Sequence, residues 1–197
     1  GEVVTALDEA FYKTFDNVVP SGKRTLIGLD VSYSMNAKSD FSGLTARDIS
    51  VAMSMITAAT EPKTHTVGFT SGDRYSDGVT PVNISARKSL QENISPVSNL
   101  PFGGTDCALP IKYAIDNGIE VDTFLIITDN ETWGGYEHSF QALERYRKST
   151  GISAKLVAMG VTATDSTITN PEDPGSLSVA GFDPAVPKLI ADFSRGL

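Results

Sequence analysis

Cysteine and histidine are scarce in this sequence, which contains only Cys107 and two histidines. A single cysteine excludes an internal disulfide bond and any zinc site built from paired thiolates. Such a composition fits a reducing compartment best. We therefore expect a cytoplasmic protein, and a nuclear one as well if its source is eukaryotic.

Basic residues are outnumbered, because 16 Lys and Arg face 24 Asp and Glu. The net charge is -8 and the isoelectric point is about 4.7. An acidic surface repels nucleic-acid phosphates at long range, and the basic residues are scattered in ones and twos rather than gathered in a strip. We expect this chain alone to bind no nucleic acid tightly.

The sequence also lacks apolar runs long enough to span a membrane, since its longest apolar run has the length of a strand. We therefore expect no signal peptide and no contact with a membrane. The chain is also expected to be monomeric. The 197 residues, 40% of them hydrophobic, suffice for one core and predict one domain over residues 1–197. Residues 1–19 are expected to form a helix that packs on this domain. Since the helical pattern has begun by residue 3, we expect the chain to be a fragment of a longer protein.

Strands and helices alternate along the sequence. Short apolar runs between turn residues predict strands at 24–31, 65–70, 78–82, 122–129, 154–161 and 177–181. Apolar residues three or four positions apart predict helices at 3–18, from 42–45 to about 60, and at 86–94, 107–117, 137–149 and 184–193. The alternation predicts an α/β fold with a doubly wound, mostly parallel six-stranded sheet and helices on both faces, as in Rossmann-like proteins. Pro81 predicts that the 78–82 strand is an antiparallel edge.

Two of the predicted strands end in a carboxylate, at Asp30 and Asp129. Doubly wound sheets bind ligands beyond the carboxyl ends of their strands, where the strand order switches direction. Ser32 and Ser34 follow Asp30 in the segment DVSYS, and this alternation allows all three oxygen-bearing side chains to project to one side of an extended turn.

Thr105 adds a fourth oxygen in the segment FGGTDC, where Gly104 and the glycine before it allow a close approach of the backbone. Asp129 would complete the set, directly or through water. Oxygen donors suit hard cations, and Mg²⁺ is the expected ion because it accepts few carboxylates and keeps several waters. Ca²⁺ and Mn²⁺ are the alternatives. Asp106 is expected to cap a helix or to support the ligands, and Glu131 to lie in solvent or beside the ligands.

The motifs DVSYS, a Thr after two glycines, and TD at a strand end resemble the metal-ion-dependent adhesion site of von Willebrand A domains. A closer resemblance is to the A domain of the Ro autoantigen family, ring-shaped proteins that bind small noncoding RNAs. It extends from the first predicted helix to the last. The segments that carry it, in order, are AFYKTF at 10–15, GKR at 22–24, DVSYSM at 30–35, GGTDCALP at 103–110, TDNET at 128–132, ALERYRK at 142–148, AKL at 154–156 and GFD at 181–183.

The resemblance implies that the longer protein contains a ring of helical repeats, absent from this chain, that holds small noncoding or misfolded RNAs. This domain would close the ring and offer its metal face to an acidic group of a protein ligand. The residue between the two serines of such sites is usually small. Here it is Tyr33, which is expected to overhang the metal and to shape access by a partner.

Two other functions remain open. A phosphohydrolase could use Asp30 as a nucleophile beside magnesium. The second aspartate that such enzymes place two residues further on is Ser32 here, and no lysine nearby completes the set, so we predict no enzymatic activity. A purely structural domain that closes the ring, with a vestigial site or one blocked by Tyr33, is the other alternative.

Overall fold

A computed structural model describes residue 13 and residues 18–38, 44–72, 77–101, 103–129, 137–161, 168–181 and 185–197. The helix predicted at residues 3–18 therefore lies outside the described residues, except for Lys13, which is helical, and Val18. Within the described residues no helix is long and apolar enough to cross a membrane.

In the part of the chain that the structure describes, the sheet contains six strands in the order β3-β2-β1-β4-β5-β6. All neighbouring strands are parallel except β2 and β3. This confirms the predicted mostly parallel sheet, with Pro81 on the antiparallel edge strand. The strands are β1 (Arg24–Asp30), β2 (Lys63–Phe69), β3 (Val79–Pro81), β4 (Thr123–Thr128), β5 (Lys155–Gly160) and β6 (Ser176–Ala180). The strand order changes direction between β1 and β4, so the crevice expected to bind ligands lies at the carboxyl ends of these two strands.

Five α-helices and a short 3₁₀-helix at Tyr33–Asn36 are found in the described residues. The α-helices are α1 (Ala46–Thr60), α2 (Leu90–Ser98), α3 (Leu109–Asp116), α4 (Ser139–Thr150) and α5 (Val186–Arg195). Helices α3 and α4 pack on one face of the sheet, and α1, α2 and α5 pack on the other. The predicted doubly wound architecture is therefore confirmed.

Side chains of β1 point alternately to the two faces of the sheet and contribute to the hydrophobic core on each face. Leu26 packs with α3 and α4, whereas Ile27 packs with α1 and α5. At Gly28 the sheet and α3 approach closely, since a Cβ atom there would lie 2.7 Å from Cγ of Pro110. This close approach brings α3, and the loop that precedes it, near the carboxyl end of β1.

Helix starts follow local capping. The hydroxyl of Thr45 accepts a hydrogen bond from the Asp48 amide at 3.1 Å. In return, the Asp48 carboxylate accepts one from the Thr45 amide at 2.9 Å. This capping box confirms the predicted start of α1. The predicted start of α2 at residue 86 is wrong. Ser89 and Glu92 form a second capping box, which delays the helix to Leu90.

Proline determines two other helix starts. Helix α3 begins at Leu109 instead of residue 107, with Pro110 in its first turn. Helix α5 begins at Val186 instead of Pro184, and Pro187 is the proline of its first turn. Pro184 itself lies outside the described residues.

An ion pair joins β1 to β4 at the amino end of the sheet, opposite the switch point. Arg24 donates from Nε and Nη2 to the two carboxylate oxygens of Asp122, each at 2.8 Å, and the Arg24 amide donates to the same carboxylate at 2.9 Å. The hydrogen bonds from the Arg24 side chain hold the pKa of Asp122 below its ordinary value. The charged form of Asp122 therefore stabilises the alignment of these two strands.

We predict that Asp122→Asn lowers the melting temperature at pH 7 by roughly 2–4 °C. Since the folded pKa of Asp122 is depressed, its contribution is complete above the unfolded pKa of about 3.9 and is lost as the pH falls through the folded value. Melting curves of the parent and the variant should therefore converge in acid. The exposed Asp116→Asn on α3 is the control and should change little. A difference for Asp122→Asn that persists unchanged well below pH 3 would contradict the ion-pair explanation.

Candidate metal centre

The turn after β1 and the end of β4 are in direct contact. Ser34 Oγ donates to Asp129 Oδ1 at 3.0 Å, and Ser32 Oγ lies 3.1 Å from Ser34 Oγ. Ser34 and Asp129 are 95 residues apart in sequence, and they meet because β1 and β4 are parallel neighbours. Three of the five predicted ligands thus form one hydrogen-bonded chain.

Asp30, the last residue of β1, has no solvent exposure. Its Oδ1 accepts a hydrogen bond from the Ser32 amide at 2.8 Å, and its Oδ2 accepts one from the Thr128 hydroxyl at 2.6 Å. Burial raises the pKa of Asp30, and the hydrogen bonds from Thr128 and Ser32 oppose this shift. The carboxylate is well oriented, but its charge is costly to bury.

Asp129 follows β4 and is partly buried. Burial raises its pKa, and the hydrogen bond from Ser34 opposes the shift. The charge of Asp129 also raises the pKa of Asp30. Two carboxylates that repel each other in a poorly solvated crevice would be stabilised by a cation beside them, so this donor set fits a hard divalent ion.

Thr105 lies in the loop before α3 and is 6% exposed. The next residue anchors the loop to the end of β2, because the Asp106 amide donates to the Thr70 carbonyl at 3.1 Å. Within the described residues the Thr105 hydroxyl makes no hydrogen bond, so its oxygen is available as a ligand.

Cys107, two residues further along, shows how near this loop is to the carboxylates. Its thiol is buried, which raises its pKa, and the charges of Asp30 and Asp106 raise it further. The thiol also lies within hydrogen-bonding reach of Thr128. The loop that carries Thr105 is therefore adjacent to the ends of both β1 and β4.

Gly104 and Asp106 support this loop. A Cβ atom at Gly104 would lie 2.9 Å from Ser71 Oγ, so the loop packs closely against the end of β2. Asp106 Oδ1 accepts from the Ala108 amide at 3.0 Å, and Oδ2 pairs with Lys112 Nζ at 3.4 Å. Asp106 thus caps the turn that precedes α3.

Tyr33 lies on the exposed turn after β1. It is 75% exposed, and its neighbour Ser34 is exposed as well. The expected position of its ring over the ligands stays a prediction. Glu131 lies outside the described residues.

Clusters of stronger metal ligands are absent from the part of the chain that the structure describes. No group of three or more His, Cys, Asp or Glu side chains that could hold a metal ion is found there. An ion at the ends of β1 and β4 would consequently depend on serine and threonine hydroxyls as well as on two carboxylates. Such a set suits Mg²⁺ with retained waters better than it suits zinc.

Sequence reasoning overlooked two residues near the site. Thr128 directly precedes Asp129 in the TDNET segment, and the pattern of buried strand residues concealed its bond to Asp30. Arg47, in the first turn of α1, is 4% exposed and is close enough to Asp30 for the two charges to interact. Burial lowers the pKa of Arg47, and the charges of Asp48 and Asp30 oppose that shift. No periodicity signals a buried arginine at the start of a helix.

The strand order and the DxSxS turn at the switch point define a von Willebrand A-type domain. Proximal thread matrix protein 1 from the mussel byssus shares this fold, with a TM-score of 0.59 and 12% identity over 90% of this chain and 48% of its own. At that identity the likeness concerns the fold alone.

A much stronger similarity identifies the family. The family model of the Ro60 vWA domain matches residues 24–194, and this chain belongs to that family. The crystal structure of the Deinococcus radiodurans RO (RSR) protein superimposes with a TM-score of 0.84 at 40% identity, over 98% of this chain and 38% of that one. The resemblance noted from the sequence motifs is thereby confirmed.

Curated relatives are considerably longer than this chain. RNA-binding protein RO60 of Deinococcus radiodurans is 41% identical over 196 residues, which cover 98% of this chain and 36% of the relative. RNA-binding protein RO60 of Caenorhabditis elegans is 38% identical over 99% of this chain and 30% of its own length. The chain thus spans about a third of these relatives.

We predict that Asp30→Asn raises the melting temperature of the metal-free chain by about 2–4 °C at pH 7, measured with a chelator present. An amide keeps the shape of the buried group and avoids the cost of burying a charge. Asp122→Asn, the same change at the other end of the sheet, should act in the opposite direction. If Asp30→Asn is less stable than the parent, the Asp30 charge is already compensated without an ion.

Proposed function

We propose that this domain is a non-enzymatic binding module that takes up one divalent ion, with Mg²⁺ as the expected ion and Ca²⁺ or Mn²⁺ as alternatives. The ligands would be Asp30, Ser32, Ser34, Thr105 and Asp129. The observation that carries the proposal is the hydrogen bond between Ser34 and Asp129, which joins the turn after β1 to the end of β4. The buried Asp30 and the partly buried Asp129, whose carboxyl groups both have raised pKa values, support it, since a cation would offset their charge.

The proposed partner is a protein that carries an acidic side chain. With three neutral hydroxyls and two carboxylates around it, the bound ion would supply a Lewis-acidic centre that accepts a carboxylate in place of a water. Ser34 and Tyr33 are exposed on the same turn, so a partner can reach this edge of the site. Tyr33 would offer the partner an aromatic contact beside the charged one. This exposure favours an accessible site over one that Tyr33 blocks.

Catalysis by Asp30 is disfavoured by its surroundings. A nucleophilic carboxylate must reach the phosphorus atom of its substrate, but Asp30 has no exposed surface and both of its oxygens accept hydrogen bonds. Phosphoryl transfer would require those bonds to break and the end of β1 to open.

For the whole protein we propose the binding of small noncoding RNA through a helical-repeat region outside this chain, in the cytoplasm. The names of the relatives, RNA-binding protein RO60, support an RNA partner. The net charge of -8 on this chain supports a division of labour in which other parts of the protein contact the RNA.

Titration with Mg²⁺ tests the metal site. Calorimetry should give saturable binding to one site in the parent chain, and Mg²⁺ at 100 times its Kd should stabilise the fold by about 2.7 kcal/mol. Thr105→Val removes an oxygen ligand, and Asp30→Asn removes the charge of one. Each variant should therefore lose most of this effect. Thr25→Val, a buried threonine at the amino end of β1, is the matched control and should bind as the parent does. Equal binding by Thr105→Val, Asp30→Asn and the parent would refute the proposed ligand set.

An electrophoretic shift assay tests the division of labour. This chain alone, at micromolar concentration and physiological salt, should not shift a small structured RNA, since its acidic surface opposes the phosphates. A longer protein that includes the proposed repeat region should shift the same RNA. Tight binding by this chain alone would show that the domain itself contacts RNA.

A further inference from the structure

We infer that Thr128, the last residue of β4, is a positioning residue of the candidate metal site, where its hydroxyl fixes the orientation of the Asp30 carboxylate. This inference deepens the proposed metal binding and rests on it. Thr128 is not among the proposed ligands. Its role is to act on the ion through Asp30.

Two hydrogen bonds define the position of the carboxylate. Thr128 Oγ1 donates to Asp30 Oδ2 at 2.6 Å, and the Ser32 amide donates to Oδ1 at 2.8 Å. Thr128 is 1% exposed, so no bulk water competes for its hydroxyl. A planar carboxylate held at both oxygens has a single orientation.

The parallel register of the sheet places this hydroxyl beside Asp30. Leu29 in β1 pairs with Ile127 in β4, and both side chains belong to the core on the α1 side of the sheet. Because side chains alternate along a strand, Asp30 and Thr128 lie next to each other on the opposite face. A side chain at position 128 is thus in place to orient Asp30 whenever these two strands pair.

Replacement of Thr128 by valine keeps the shape of the side chain and removes its hydroxyl. Asp30 Oδ2 would then lack its buried partner, and the carboxylate could rotate away from the orientation that suits an ion. Residues that orient metal ligands typically contribute 10–100-fold to metal affinity. Thr128→Ser retains the donor and should retain the affinity.

Thr123, at the opposite end of β4, provides a closely matched control. Its side chain is fully buried, and its hydroxyl donates to Ser194 Oγ at 3.1 Å. Thr123→Val therefore removes a buried threonine hydrogen bond from the same strand, far from the candidate ligands. A general loss of stability would affect both valine variants, whereas a positioning role concerns only Thr128.

The test is a titration of the 197-residue chain with Mn²⁺, in which free Mn²⁺ is measured by electron paramagnetic resonance. Thr128→Val should weaken binding by about 10–100-fold, whereas Thr128→Ser and Thr123→Val should bind within about threefold of the parent. The inference is overturned if Thr128→Val binds as tightly as the parent, or if Thr123→Val loses as much affinity.

A second measurement, on the metal-free chain, separates this inference from the proposed function. Hydrogen exchange of the Ser32 amide reports on its bond to Asp30. Exchange should be faster in Thr128→Val and unchanged in Thr123→Val, relative to the exchange of amides elsewhere in the sheet. If the parent binds no Mn²⁺ but this pattern is found, the metal proposal fails and the positioning of Asp30 by Thr128 stands. An unchanged Ser32 amide in Thr128→Val would overturn the positioning role.

Discussion

The parallel pairing of β1 with β4 is the constraint on which the rest of the site depends. It brings the carboxyl ends of two strands side by side, although nearly a hundred residues separate them in sequence. Doubly wound sheets bind ligands in the crevice at such a switch in strand order. The turn after β1 crosses that crevice, and Ser34 in this turn contacts Asp129 beyond β4. Without this pairing, the five oxygen-bearing side chains would be scattered among separate loops.

Electrostatics at this crevice differ from those at the opposite end of the same strand pair. At the amino end, Arg24 neutralises Asp122 and lowers the pKa of that carboxyl. At the carboxyl end, Asp30 and Asp129 both have raised pKa values, chiefly because of burial. The fold thus pairs Asp122 directly with an arginine at one end of the strand pair. At the other end burial leaves both carboxyl groups with raised pKa values, although the charge of Arg47 reaches Asp30. Carboxyl groups with such shifted pKa values are typical of functional sites, and they motivate the proposal of a bound cation.

The fold was predictable from the sequence because its signals are local. Apolar runs, the alternation of strands with helices, and Pro81 at an edge strand sufficed for the sheet and its antiparallel edge. Helix boundaries were less accurate where a capping box competed with periodicity, as at Ser89 and Glu92. The helix start at residue 86 was wrong for that reason.

Prediction of the site from sequence was partial. Strand-end position and spacing pointed to Asp30, Asp129 and the two serines, because such arguments require only the strand order. The hydrogen bond from Thr128 to Asp30 depends on the register between two strands, and the exposure of Tyr33 depends on the 3₁₀-helix that contains it. Neither strand register nor side-chain exposure can be read from residue spacing.

Membership in the Ro60 vWA family gives the chain a context that its own composition does not supply. The relatives are named RNA-binding proteins. The present chain, however, is acidic, and its oxygen-bearing side chains lie at one end of the sheet. The proposed binding module for an acidic protein group, within a longer protein for which we propose RNA binding, would reconcile these two facts.

The most direct test is a crystal structure of the chain grown with Mn²⁺, with data collected at a wavelength where manganese scatters anomalously. The account predicts one anomalous peak at the carboxyl ends of β1 and β4, within coordination distance of the hydroxyl oxygens of Ser32 and Ser34. A map without a peak there, at a Mn²⁺ concentration that saturates other oxygen-ligated sites, would contradict it.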